Sequence, residues 1–290
     1  MPRAHTPTID IEYETFGDAS SPPLLLVHGY SLQLISWDDR FCEQLAARGF
    51  RVVRFDNRDV GLSSKIEAAG MPNISAIMGG DPSSAPYALE DMAEDTKGLL
   101  DALDVRAAHV VGVSMGGMIA QLLALRAPDR VLSLCSIMST TGDPSVGHPR
   151  PETVGVLFKP TPLDRDGAIE SGASVWRALR SPGFAFDEGR VRARVERSID
   201  RCFYPIGVAR QLAAILSARD RTADLARITQ PTLVIHGKDD PLIALSGGEA
   251  TARAIRGAEL LSIDGMGHDL PEEVWPRVID AIATNARRRV

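Results

Sequence analysis

The chain has 290 residues, 44% of them hydrophobic and 24% charged, with a formal net charge of -6. That length supports one large α/β domain with room for an insertion, and the composition argues against a disordered chain. The acidic balance argues against a nucleic-acid surface, which needs a basic stripe to meet phosphates.

Along the chain, Met1 to Asp10 lacks the charged-then-apolar design of a signal peptide and is expected to fray, His5 with it. Thr8 to Thr15 alternates, with Ile9, Ile11 and Tyr13 on one side, and reads as an antiparallel edge strand. Short runs that are apolar throughout follow: Leu24 to Val27, Val52 to Phe55, His109 to Val113, Val131 to Met138, Thr232 to Ile235 and Leu260 to Ile263. Strands buried on both faces read this way, so a mostly parallel sheet is predicted. Helical patterns fall between them: Trp37 to Arg48, Leu89 to Leu103, Met115 to Arg126, Gly247 to Ile255 and Glu272 to Arg287. Met115 to Arg126 is apolar almost all round and is expected to be the central buried helix. Pro271 is placed to begin the final helix. The basic run Arg287 to Arg289 reads as a solvated helix end, where cations favour the dipole.

Two stretches break the rhythm. Lys65 to Pro86, rich in Gly, Pro and Ser, reads as a long surface loop. Residues 140 to 218 open on a polar, Pro-rich segment and turn helical around Ile169 to Leu179, Glu188 to Arg201 and Ile206 to Leu216. This stretch falls between two strands, so it reads as an inserted helical cap (residues 140-218) within a core formed by 1-139 and 219-290. Cys42, Cys135 and Cys202 are odd in number and widely spaced, so no disulfide framework is implied, and each reads as a small core residue. No stretch is apolar enough to span a bilayer; Val110 to Leu125 comes nearest, and contains Ser114, Gln121 and three glycines. A cytoplasmic location follows by default.

Gly112-Val113-Ser114-Met115-Gly116 is a G-x-S-x-G pattern. Alone it carries little weight, but here a predicted strand runs into the serine and a predicted helix leaves it. Such a turn holds a serine hydroxyl above the sheet at the positive end of a helix dipole. A serine needs a base. Of six histidines, His268 in the loop Asp264 to His268 follows the last strand and reaches back over the strand ends. An acid must orient that base, and Asp239 and Asp240 both follow the strand ending at Ile235. No H-E-x-x-H pattern or paired His spacing supports a metal, no dinucleotide fingerprint is present, and no cofactor is expected.

These residues resemble the α/β-hydrolase superfamily over essentially the whole chain. Four motifs match in order: His28-Gly29, Asp56 to Ser63, the serine turn, and the late Asp and His. Asp56-Asn57-Arg58-Asp59-Val60-Gly61-Leu62-Ser63, with Asp where many relatives have Gly, resembles the aclacinomycin methylesterase group, as does Gly265-Met266-Gly267-His268 before Leu270-Pro271. The resemblance implies an α/β-hydrolase fold and a catalytic triad of Ser114, His268 and Asp240, the last preferred because the family spacing is Gly-x-x-Asp. It also implies an oxyanion hole from the backbone N–H groups of Tyr30 and Met115, and carboxylic-ester hydrolysis of a small to medium apolar ester. The Arg58 and Asp59 pair is expected to brace the loop beside that hole. Leu34, Ile35, Met138, Trp176, Phe184, Phe186 and Met266 are expected to line an apolar pocket. The serine excludes relatives with an aspartate nucleophile, the haloalkane dehalogenases and epoxide hydrolases. Ser114-Met115-Gly116-Gly117 also resembles cofactor-free haloperoxidases, which act as perhydrolases. Carbon–carbon hydrolases share the triad, and a ligand-binding receptor on the same scaffold is the non-enzymatic alternative. A small-molecule partner is expected, with no nucleic acid and no membrane, the protein being a monomer or a dimer.

Overall fold

The computed structural model describes residues 2-157, 159 and 161-288; Arg289 of the basic run lies outside them. Its strands are β1 (Arg3–His5), β2 (Asp10–Phe16), β3 (Pro23–Val27), β4 (Arg51–Phe55), β5 (Ala108–Val113), β6 (Val131–Ile137), β7 (Thr232–Gly237) and β8 (Glu259–Ile263). Its helices are α1 (Asp39–Ala47), α2 (Ile74–Met78), α3 (Leu89–Ala102), α4 (Met115–Arg126), α5 (Pro151–Leu157), α6 (Arg165–Leu179), α7 (Glu188–Arg201), α8 (Pro205–Leu216), α9 (Thr222–Leu225), α10 (Leu245–Ala254) and α11 (Trp275–Arg287). The strands form one sheet in the order β1-β2-β4-β3-β5-β6-β7-β8. Pairing is antiparallel at β1-β2 and β2-β4 and parallel from β4 to β8.

Successive side chains of a strand face opposite sides of the sheet, and this divides the core in two. Leu25 and Val27 of β3 and Val110 of β5 pack with α3 and α4. Leu24, Leu26, Val111 and Val113 face the other way, with Phe41 and Leu45 of α1 and Val278, Ile279 and Ile282 of α11. Helix α4 is buried from Met115 to Ala124, as its apolar circumference requires.

The structure departs from the sequence reading at several places. The alternating segment is not the edge, because β1 pairs outside it; His5 belongs to β1, with Nδ1 2.7 Å from Asp10 Oδ1. Helix α1 starts two residues later than expected because the Asp38 side chain accepts from Arg40 N–H and caps it, leaving Trp37 extended. Pro271 precedes a 3-10 turn, Glu272–Val274, and α11 begins after it. Residues 65 to 86 are not a bare loop: they hold α2 and the 3-10 turn Pro82–Ser84, entered through the side chains of Asn73 and Asp81, and a further 3-10 turn, Glu67–Ala69. Cys42 and Cys135 are buried, whereas Cys202 is only partly so.

Arg58 and Asp59 do not pair with each other. The Arg58 guanidinium meets Asp95 of α3 at 2.5 and 2.8 Å. Asp59 Oδ1 accepts from Ile66 N–H at 2.8 Å and from Arg210 of α8 at 3.0 Å, both ionic side chains being almost completely buried. Asp59 also has φ +67°, a left-handed conformation that glycine adopts freely and aspartate better than most. Asp59→Gly therefore relieves about 1 kcal/mol of backbone strain but strands a buried guanidinium, worth about 3–5 kcal/mol. We expect a net loss of about 2–4 kcal/mol in urea unfolding; equal or greater stability of the variant would show that the ion pair contributes nothing.

Candidate active site

Ser114 occupies the turn between β5 and α4, with φ 55° and ψ -120°. This strained conformation costs a non-glycine residue about 1–3 kcal/mol. The strand order enforces it. A Cβ at Gly112 would stand 2.1 Å from Gly116 O, and one at Gly116 would stand 2.1 Å from Val27 O. Only hydrogen atoms let α4 start so close to β3 and β5. The turn is further fixed by Ser114 N–H to Ile137 O (2.9 Å) and by Ser139 Oγ donating to Ser114 O (2.8 Å).

His268 is brought to the serine by the loop after β8, with Nε2 3.1 Å from Ser114 Oγ. Its Nδ1 lies 2.8 Å from Asp240 Oδ2. That carboxylate is an obligate acceptor, so Nδ1 carries the proton and Nε2 accepts from the serine hydroxyl. Asp240 Oδ1 accepts from Leu242 and Ile243 N–H at 2.8 and 2.9 Å, and His236 Nε2 lies 3.5 Å from Oδ2. Burial alone would raise the Asp240 pKa; His268 and His236 outweigh it and hold the carboxyl below the usual carboxylate range. Asp239 faces elsewhere, its Oδ2 accepting from Gly265 N–H at 2.9 Å. Asp240 is thus the acid against the imidazole.

The loop after β3 passes directly beside the serine: a Cβ at Gly29 would lie 3.2 Å from Ser114 Cβ. Tyr30 follows it, and Met115 opens α4, where the first amides have no intrahelical acceptor. Burial pushes the Tyr30 phenol up to about 12. Leu34, Met138 and Met266 are 0%, 1% and 0% exposed and Ile35 is buried, whereas Trp176, Phe184 and Phe186 are partly exposed. Among the described residues, no group of His, Cys, Asp and Glu is arranged to hold a metal ion.

Several supporting residues escaped the sequence reading. Gln211 of α8 accepts from Ser31 N–H and donates to Arg58 O. Gln33 donates to Ser198 O and Cys202 O at the end of α7. Asp56 accepts from Leu34 N–H and pairs with Arg201 at 2.7 Å. Buried amides carry no sequence signature, but arginines at 190, 194, 197 and 201 repeat at helical spacing and were a readable stripe.

A family model described as the alpha/beta hydrolase fold matches residues 22-273. The chain belongs to the α/β-hydrolase family. It is 34% identical over 295 residues to rhodomycin D methylesterase DauP of Streptomyces sp. (strain C5), covering 94% of each chain. It is 28% identical to a 2-hydroxy-6-oxononadienedioate/2-hydroxy-6-oxononatrienedioate hydrolase of Cupriavidus pinatubonensis, covering 86% of this chain and 81% of that one. A solved hydrolase from Pseudomonas aeruginosa PA01 superposes with a TM-score of 0.73 at 29% identity, over 98% of this chain and 97% of that one. The resemblance to methylesterases expected from Asp56 to Ser63 is thus matched by the relatives of this α/β-hydrolase.

His28, beside Gly29, has its pKa lowered to about 3, first by burial and then by the charge of Arg194. In the unfolded chain it returns to 6.5, so the unfolded state binds more protons between these values. Stability due to His28 is full above 6.5 and falls as pH drops towards 3; Asp240, also depressed, adds a loss only below its unfolded value of 3.8. Urea unfolding at pH 7, 5.5 and 4.5 is expected to show a steady loss that His28→Gln flattens. An identical slope in the variant would remove His28 as the cause.

Proposed function

We propose that this carboxylic-ester hydrolase works through an acyl-enzyme on Ser114, with His268 as general base and acid and Asp240 as the orienting acid. The observation that carries this reading is the unbroken chain Asp240–His268–Ser114, at 2.8 and 3.1 Å, ending on a serine held in a strained turn. Ser114 Oγ attacks the ester carbonyl and its proton passes to His268 Nε2. The N–H groups of Tyr30 and Met115 receive the oxyanion, a charge present only in the transition state, and each such donor is worth about 3 kcal/mol. His268 then protonates the leaving alcohol, and water repeats the sequence to free the acid and Ser114.

The substrate proposed is a methyl or similarly small ester, in line with the methylesterase relative. Trp176, Phe184 and Phe186 supply apolar contacts beneath α5 to α8, which we read as a cap (residues 140-218) on a core of 1-139 and 219-290. We assign the protein to the cytoplasm, acting on a small molecule without nucleic acid or membrane, as a monomer or a dimer. Among the described residues, no helix is long and apolar enough to cross a membrane.

Ser114→Ala should lower kcat on p-nitrophenyl acetate by at least about 10³-fold while leaving the melting temperature near that of the parent. Asp240→Asn is expected to cost about 10³–10⁴-fold, through loss of the Nδ1–H tautomer, whereas Asp239→Asn stays within about 10-fold. Equal losses at the two aspartates, or full activity in Ser114→Ala, would refute the assignment.

A further inference from the structure

Helix α6 ends at Leu179, and the last carbonyls of a helix have no intrahelical donor. The Leu179 carbonyl accepts from the backbone N–H of His268 at 2.9 Å. The amide of the histidine that meets Ser114 thus satisfies the end of α6. Further bonds join the same two segments. Gly183 N–H donates to Gly265 O at 2.9 Å, and Gly267 N–H donates to Ser181 Oγ at 2.8 Å. Ser181 Oγ in turn donates to Asp269 Oδ1. One hydroxyl therefore holds both the residue before His268 and the residue after it.

The two segments also meet backbone to backbone. A Cβ at Gly183 would stand 2.5 Å from Gly265 Cα, and one at Gly267 would stand 2.4 Å from Arg180 O. On its other side the loop after β8 rests on Asp239, whose Oδ2 accepts from Gly265 N–H at 2.9 Å and whose N–H donates to Met266 O at 3.0 Å. Asp239 fixes the start of the loop, whereas the N–H groups of Gly267 and His268 are held from residues 181 and 179. Ser181 is buried, so losing its hydroxyl strands a donor on Gly267 and an acceptor on Asp269.

We propose that Ser181 is a positioning residue for His268: the turn between α6 and α7 seats the histidine, and the Ser181 hydroxyl sets where Nε2 meets Ser114 Oγ. This seating rests on the Ser114 ester-hydrolase reading and adds to it the group that keeps its base in register. The Nε2–Oγ distance of 3.1 Å leaves little slack, because a hydrogen bond from a hydroxyl weakens steeply beyond it. A misplacement of about 1 Å at a reacting group can cost about 10²-fold in rate. His268 moves the proton in both halves of the reaction, so a displaced imidazole lowers kcat and leaves ground-state binding alone.

Ser181→Ala removes both bonds at once. On p-nitrophenyl acetate its kcat is expected to fall by about 10- to 100-fold, with KM within about 3-fold of the parent. Both proteins are compared at a temperature where circular dichroism shows them folded. Ser181→Thr keeps the hydroxyl and should recover most of the loss. A parental kcat in Ser181→Ala, a change confined to KM, or equal losses in the Ala and Thr variants overturns the proposal. Amide hydrogen exchange of the parent protein stands even if neither variant folds. Gly267 and His268 N–H should be protected and should exchange together with Gly183 N–H. Exchange of those two amides at the rate of an open loop, while the amides of β8 stay protected, also overturns it. If the parent is active, Ser114→Ala is not, and Ser181→Ala matches the parent, the Ser181 assignment alone falls. If the parent is inactive, or Ser114→Ala retains full activity, both readings fall.

Discussion

The close backbone approach at the β5–α4 turn is the constraint on which the remainder depends. Gly112 and Gly116 let α4 start against β3 and β5 with carbonyl oxygens where a Cβ would otherwise be. That contact sets the left-handed turn at Ser114, and the neighbouring strands keep it there. Because β5 lies between β3 and β6, the loops after β3 and β6 both reach the serine, giving Gly29 on one side and Ser139 on the other. The loops after β7 and β8 supply Asp240 and His268 from further along the same edge. The parallel order thus places the strand ends together, where four loops meet.

Around this turn, three buried arginines are handled by pairing. Arg58 with Asp95, Arg210 with Asp59 and Arg201 with Asp56 each put a cation against a carboxylate and tie a different helix to the loop after β4. These pairs are better evidence of fixed geometry than of large stabilisation, since desolvation offsets much of the attraction. His28 follows the other route and stays neutral.

Much of this was legible from sequence, for physical reasons. Strands buried on both faces must be apolar throughout, so six of them were visible as short runs, and the Gly-x-Ser-x-Gly turn was confirmed in shape by the strand and helix around it. His268 could be chosen by elimination because its loop follows the last strand. The choice between Asp239 and Asp240 was harder: adjacent residues point apart, and only the fold shows that one meets Gly265 N–H and the other His268. The burial of apolar side chains was not legible either. Leu34, Met138 and Met266 are as apolar as Trp176 or Phe184, and sequence does not show that the first three are fully buried and the last two only partly so. The short β1 and α2 were missed because three to five residues are too few to display a period.

Gln33 sits between two jobs. Its backbone lies a few residues beyond Tyr30, and its side-chain amide reaches across to the last carbonyls of α7. Helix α7 and the loop beside Ser114 are therefore joined through one side chain: Gln33 holds the end of α7 to the segment that follows Tyr30.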